Sequence, residues 1–245
     1  TGCITLDPNN SSVVWLGTGE NVGGRHVGIG HGIYRSADGG SSWQDMGLKK
    51  SEHISKIIVH PNDSNVLWVA VQGPLWNSGG ERGLYKTVDG GKNWYKPLGD
   101  SEWTGVTDIM IDPRDPNLIY AATWDRHRTV AAYMGGGPGS GIHKSEDGGE
   151  TWKKLTKGIP KSNLGKIGIA ISYQKPDVIY AAIEEDRGIL IQEENSTQIL
   201  KEGFMPRNLK KNKSFIKRGS LRFNYKNNSK KLNSCIYNRY FIKRA

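Results

Sequence analysis

Apolar residues in this chain fall in short β-branched and aromatic runs that alternate with polar positions, and the runs come in pairs. Ile4-Thr-Leu-Asp-Pro8 leads to Val14-Trp-Leu-Gly-Thr18, and Ile57-Ile-Val-His-Pro61 leads to Leu67-Trp-Val-Ala-Val71. Ile109-Met-Ile-Asp-Pro113 leads to Ile119-Tyr-Ala-Ala-Thr123, and Ile169-Ala-Ile-Ser-Tyr173 leads to Ile179-Tyr-Ala-Ala-Ile183. The residues between the members of a pair are polar turn formers, as in Asn62-Asp-Ser-Asn65 or Arg114-Asp-Pro-Asn117. Each pair therefore predicts strand, tight turn, strand. A second set of strands opens on glycine: Gly32-Ile-Tyr-Arg35, Gly83-Leu-Tyr-Lys86 and Gly141-Ile-His-Lys144. Helical periodicity of useful length is absent from this part of the chain.

Each of the second strands runs into the same turn. The three copies are Ser36-Ala-Asp-Gly-Gly-Ser-Ser-Trp43, Thr87-Val-Asp-Gly-Gly-Lys-Asn-Trp94 and Ser145-Glu-Asp-Gly-Gly-Glu-Thr-Trp152. This S/T-x-D-G-G-x-x-W pattern is the Asp-box, or BNR repeat. Its aspartate accepts hydrogen bonds from its own turn, its glycines supply positive φ, and its tryptophan covers the turn. Asp38, Asp89 and Asp147, with Trp43, Trp94 and Trp152, are thus expected to be structural, because a carboxylate spent on backbone amides is a poor catalytic acid. Two interleaved hairpins sharing a period of 51 to 60 residues make a four-stranded unit, which is the signature of a propeller blade. The expected fold is all-β: a β-propeller fragment of three blades, 4–46, 54–98 and 106–156, plus the start of a fourth from Lys166.

Composition changes the picture only once it is divided. The whole chain carries 34 Lys and Arg against 24 Asp and Glu, a net +10, which would ordinarily point to an anionic partner. Residues 187–245 hold 15 of those basic side chains and only 3 acidic ones, so residues 1–186 are nearly neutral at −2. No nucleic-acid partner is expected for the repeat region. The Lys/Asn-rich tail has no apolar period, and its Gln192-Glu-Glu-Asn-Ser196 stands where a fourth Asp-box is due. It reads as a basic arm, as chain outside the fold, or as sequence out of frame after about residue 186. No run approaches the ~18 apolar residues that span a bilayer. Cys3 and Cys235 imply neither a disulfide framework nor a metal site, and no cofactor motif is present. Three blades and a start fall short of the four that usually close a ring, so the chain is expected to be part of something longer.

Loops in a four-stranded meander alternate between its two ends. The Asp-boxes and the short first turns share one end; the long, individual loops 17–31, 72–82 and 124–141 share the other with connectors 48–55, 99–107 and 158–165. Long loops on a rigid scaffold are where function concentrates. They supply Arg25, His26, Trp76, Arg82, Trp103, Trp124, Arg126, His127 and Arg128 as candidate ligand-binding residues. Arginine, histidine and aromatics on one rim suit an anionic, peptide or sugar ligand. The same side chains could instead hold glycine-rich loops together. His26 and His31 lack a third ligand at a telling spacing, and no helix follows the glycine runs at 23–24 or 135–137, which removes a phosphate-cradle reading.

Three stretches, Gly17-Thr-Gly-Glu-Asn-Val-Gly-Gly-Arg-His26, Gln72-Gly-Pro-Leu-Trp76 with Gly80-Glu-Arg-Gly-Leu-Tyr85, and Trp124-Asp-Arg-His-Arg128 through Gly137, resemble the sortilin-like branch of the Asp-box proteins. The bacterial multi-repeat members are often labelled glycosyl hydrolase or sortilin N-terminal domain. The resemblance runs over about residues 2–186. It implies a large propeller, or a pair, in a secreted or periplasmic protein. Its first functional expectation is a module that captures a peptide, protein or glycan at the long-loop rim. The alternative is a glycoside hydrolase of xyloglucanase type, whose relatives use two carboxylates across a cleft between propellers; Asp125, Glu102, Glu81 and Glu20 are then the candidates. The arginine triad of sialidases has no counterpart.

Overall fold

The computed structural model describes residues 1–21, 26–99, 101–185, 220–221 and 236–243. No helix occurs among them; every long element is a strand in an antiparallel sheet. The first sheet holds β1 (Cys3–Asp7), β2 (Asn10–Gly17), β3 (Ile33–Ser36) and β4 (Gln44–Asp45) in sequence order. The second holds β5 (Ile54–His60), β6 (Asp63–Val71), β7 (Gly83–Thr87) and β8 (Tyr95–Leu98). The third contains β9 (Thr104–Asp112) and β10 (Asp115–Asp125); after a small hairpin of β11 (His127–Arg128) and β12 (Tyr133–Met134), it is completed by β13 (Gly141–Ser145) and β14 (Lys153–Lys154). In the fourth, β15 (Leu164–Ile171) pairs with β16 (Val178–Glu185). Its third place is taken by β18 (Ile236–Lys243), on which β17 (Ser220–Leu221) pairs in turn. The position at 188–189, where the repeat calls for a third strand, and most of the 187–245 segment lie outside the described residues.

Register explains why the repeat has the residues it has. The strand-two aromatic stands between strands one and three: Trp15 opposite Thr5 and Arg35, Trp68 opposite Ile58 and Lys86, Tyr120 opposite Met110 and Lys144. A cation facing an aromatic across a pair packs its stem and its charge on the ring; the Arg35 guanidinium lies 5.8 Å from the Trp15 ring and the Lys86 ammonium 5.5 Å from that of Trp68. Apolar residues of adjacent sheets form three cores, one per joint. First-strand hydroxyls stitch the same joints, Thr5 donating to the Ile57 carbonyl, Ser55 to Val106 and Thr107 to Ile167 at 2.9–3.1 Å.

The three Asp-boxes are nearly superimposable in their hydrogen bonds. Asp89 accepts from the amides of Lys92 and Asn93 at 3.0 Å and from the Thr87 hydroxyl at 2.7 Å. Thr87 in turn accepts from the Gly91 amide at 3.0 Å. Asp147 and Asp38 repeat the scheme with Ser145 and Ser36. Both glycines of each box have φ between +71° and +97°, a region glycine enters without strain. The first glycine amide donates to the first turn of its own sheet, Gly39 to Ser12, Gly90 to Asn65 and Gly148 to Asn117, at 2.8–2.9 Å. Asp-boxes and first turns therefore share one end of the molecule.

Candidate functional site

At the opposite end the long loops lock into one another. Connector 48–55 meets loop 17–31 through Gly30 N–H to the Glu52 carbonyl, and loop 72–82 through Glu81 N–H to that of Lys50. Loop 72–82 meets the next connector through Gly79 N–H to the Glu102 carbonyl, and the third loop through Arg128 N–H to that of Leu75. The rim is thus a continuous backbone network across three sheets.

Much of the predicted ligand chemistry is consumed inside this network. Arg82 is buried, and its guanidinium donates to the carbonyls of Gln72, Pro74 and Asn77, its own loop. Burial, and then the neighbouring charge of Arg126, push its pKa down to about 10. Arg126 is also buried; it donates to the Gln72 side chain at 2.9 Å and lies 4.9 Å from the Trp124 ring. Trp124 is buried with its indole N–H on the Gly135 carbonyl. His127 stacks on Trp103 at 4.3 Å, and Arg128 covers Tyr133 at 4.6 Å. Trp76, His26 and Glu102 are exposed, while Trp103, His127 and Arg128 are partly exposed. Arg25 lies outside the described residues.

The candidate acids are mostly engaged too. Asp125 is buried, with one carboxylate oxygen accepting from the Thr104 hydroxyl at 2.5 Å and the other from the Gly139 amide at 2.7 Å. Its partners are a loop glycine and a first-strand hydroxyl, so both oxygens are spent on protein groups. Glu81 accepts from the Lys50 amide at 2.7 Å and Glu20 from that of Gly28 at 2.8 Å. His53, behind the rim, is buried with neither ring nitrogen hydrogen-bonded. Burial first, then the charge of Arg126, pushes its pKa down to about 4, so it stands neutral at pH 7.

A polar cavity of about 380 Å³ opens between the first strands and the rim. Its charged walls are Lys56, Asp108, Lys166 and Glu184, with Asn21 reaching in from the first loop. Lys56 pairs with Asp108 at 2.8 Å, and Lys166 donates to Asn21 at 3.2 Å while lying 5.5 Å from the Trp124 ring. Burial lowers the Lys166 pKa, Arg126 adding to the effect. Sequence reading passed over this cavity. Its one signal is a charge next to the apolar core of a first strand, at Lys56-Ile57 and Asp108-Ile109. Among the described residues no group of three or more His, Cys, Asp or Glu could hold a metal ion, and no helix is long and apolar enough to cross a membrane.

The family described as Sortilin-Vps10 (sortilin, neurotensin receptor 3) matches residues 31–236. The GH74 xyloglucanase from Xanthomonas campestris superposes with a TM-score of 0.55 at 16% identity, over 75% of this chain and 26% of that one. A GH74 enzyme from Niastella koreensis is similar at a TM-score of 0.48 and 19% identity, over 75% of this chain and 26% of its own. The chain spans about a quarter of the length of these solved structures. None of the curated proteins matches it. At such identities the xyloglucanase likeness speaks to fold, here the β-propeller, and not to activity.

Proposed function

We propose that this chain, which belongs to the Sortilin-Vps10 family, is a ligand-binding propeller segment that captures a peptide at the mouth of the polar cavity, as part of a larger extracytoplasmic protein. The observation that carries this reading is the cavity's balanced lining: the ammonium groups of Lys56 and Lys166 and the carboxylates of Asp108 and Glu184. A peptide offers complementary charges at its termini and side chains, and backbone groups for Asn21. The rim aromatics Trp76 and Trp103, which retain exposed surface, supply apolar contact area. A protein loop would be read in the same way, and a glycan would rely more on the rim aromatics.

Peptide and glycan arrays probed with the purified chain test this directly. Peptide ligands are expected to be retained, and to be lost on Lys166→Ala and weakened on Trp76→Ala while thermal stability is kept. An array without hits, or hits indifferent to both substitutions, overturns the reading.

A further inference from the structure

Four side chains, from three loops and a first strand, are joined end to end at the cavity. The Arg126 guanidinium donates to Gln72 Oε1 at 2.9 Å. Gln72 Nε2 donates to Asn21 Oδ1, and the Lys166 ammonium reaches that same oxygen at 3.2 Å. The Trp124 ring closes the circuit, 4.9 Å from Arg126 and 5.5 Å from Lys166. Gln72 is buried; Asn21 and Lys166 line the cavity.

The two ends of this relay fix the two amides in its middle. A side-chain amide presents either its oxygen or its nitrogen, whereas guanidinium and ammonium groups only donate. Arg126 therefore takes the oxygen of Gln72 and leaves the nitrogen for Asn21. Lys166 takes the oxygen of Asn21, the same atom that the Gln72 nitrogen requires. Both ends select one arrangement. It leaves Asn21 Nδ2 over, with no hydrogen bond to any described residue, as a donor on the cavity wall.

Resting on the peptide-capture reading, we propose that Asn21 Nδ2 donates to a backbone carbonyl of the captured peptide, and that Gln72 is a positioning residue that keeps this donor turned to the ligand. The cavity's charges select a neutral acceptor. Lys56 is already paired with Asp108 at 2.8 Å, and Lys166 has Glu184 and Asp108 as counter-charges within electrostatic reach. A carboxylate would bring a charge that these groups leave without a partner, and a carbonyl brings none. Packing alone would be met by any side chain of this size between Arg126 and Asn21. Orienting the Asn21 amide needs an acceptor toward Arg126 and a donor toward Asn21, and a glutamine amide carries both.

Gln72→Glu tests it, because it keeps the shape and the acceptor for Arg126 but removes the N–H that Asn21 Oδ1 requires. The Asn21 amide is then expected to turn over and offer the ligand an oxygen in place of the donor. The probe is the peptide best retained by the wild-type chain on the array, with versions in which single backbone carbonyls are replaced by thiocarbonyls, which are weaker acceptors. One thioamide position is expected to lower wild-type affinity about tenfold, the worth of one hydrogen bond. Gln72→Glu and Asn21→Ala are each expected to weaken the unmodified peptide by about the same factor, to keep the melting temperature, and to make that thioamide position silent. Wild-type affinity in either variant, or a thioamide effect that persists in both, overturns the proposal and leaves peptide capture standing. Affinity and melting temperature falling together in Gln72→Glu would make Gln72 a structural residue and overturn its positioning role. A wild-type chain that retains no peptide overturns the capture reading, and this proposal with it.

Discussion

The two ends of this molecule use the same residue types in opposite ways. At the Asp-box end, Asp38, Asp89 and Asp147 are near the surface and bond to residues within four positions of themselves. At the long-loop end, Asp125, Arg82 and Arg126 are buried and bond across loops or between them, Asp125 to Thr104 and Arg126 to Gln72. One end is a local motif copied three times; the other is assembled once. Polar residues on an exposed, repeated turn need no tertiary partner, whereas a charge in a buried loop must find its partners there or destabilise the fold.

That contrast predicts graded effects. Trp68→Ala, which empties a joint, is expected to destabilise by about 4 kcal/mol in chemical denaturation; a loss under 1 kcal/mol would show that the joint does not depend on the aromatic. Arg82→Met leaves three carbonyls without their donor and is expected to cost about 3 kcal/mol and expose loop 72–82 to protease. If Arg82→Met instead preserves stability and abolishes ligand capture, the rim arginine is a binding residue and the contrast fails there.

Acid separates the buried histidines from the Asp-box carboxylates by pH. Burial holds His53 and His143 near pKa 4 in the fold, against roughly 6.5 in the unfolded chain. The unfolded chain therefore takes up protons first, so stability is full above about pH 6.5 and drains as pH falls to about 4, by on the order of 2 kcal/mol for each histidine. His53→Leu is expected to remove about half of that fall. The Asp-box carboxylates act later. Hydrogen bonds from the turn hold Asp89 near 2 and lower Asp38 and Asp147 likewise. Their stabilisation is complete above about pH 4 and is lost only below it. Smallest of all, Thr87→Val, which leaves the Gly91 amide without its acceptor, is expected to cost about 1–2 kcal/mol. Ser145→Ala at the matching position should cost the same; unequal values would break the equivalence of the corners.

Much of the fold was legible because its information is periodic. The Trp15, Trp68 and Tyr120 spacing and the three Asp-boxes locate strands, turns and joints before any coordinates are seen. The rim was legible only as a set of loops. Arg82 and Arg126 carry the sequence features of anion ligands, and nothing local shows that loop 72–82 folds its carbonyls around one and the Gln72 side chain onto the other. The cavity was harder still, since Lys56, Asp108 and Lys166 come from three different first strands and meet only when the sheets converge.

Sequence alone determined the blade: alternation sets which face of each strand is apolar, and the glycine pair with its aspartate closes the corner through contacts a few residues long. Tertiary structure decided the chemistry of the rim, because whether Asp125 or Arg126 meets water or a protein partner depends on Thr104 and Gln72, 21 and 54 residues away in the chain. Contacts at that range follow from how the sheets pack, and no period in the chain records them.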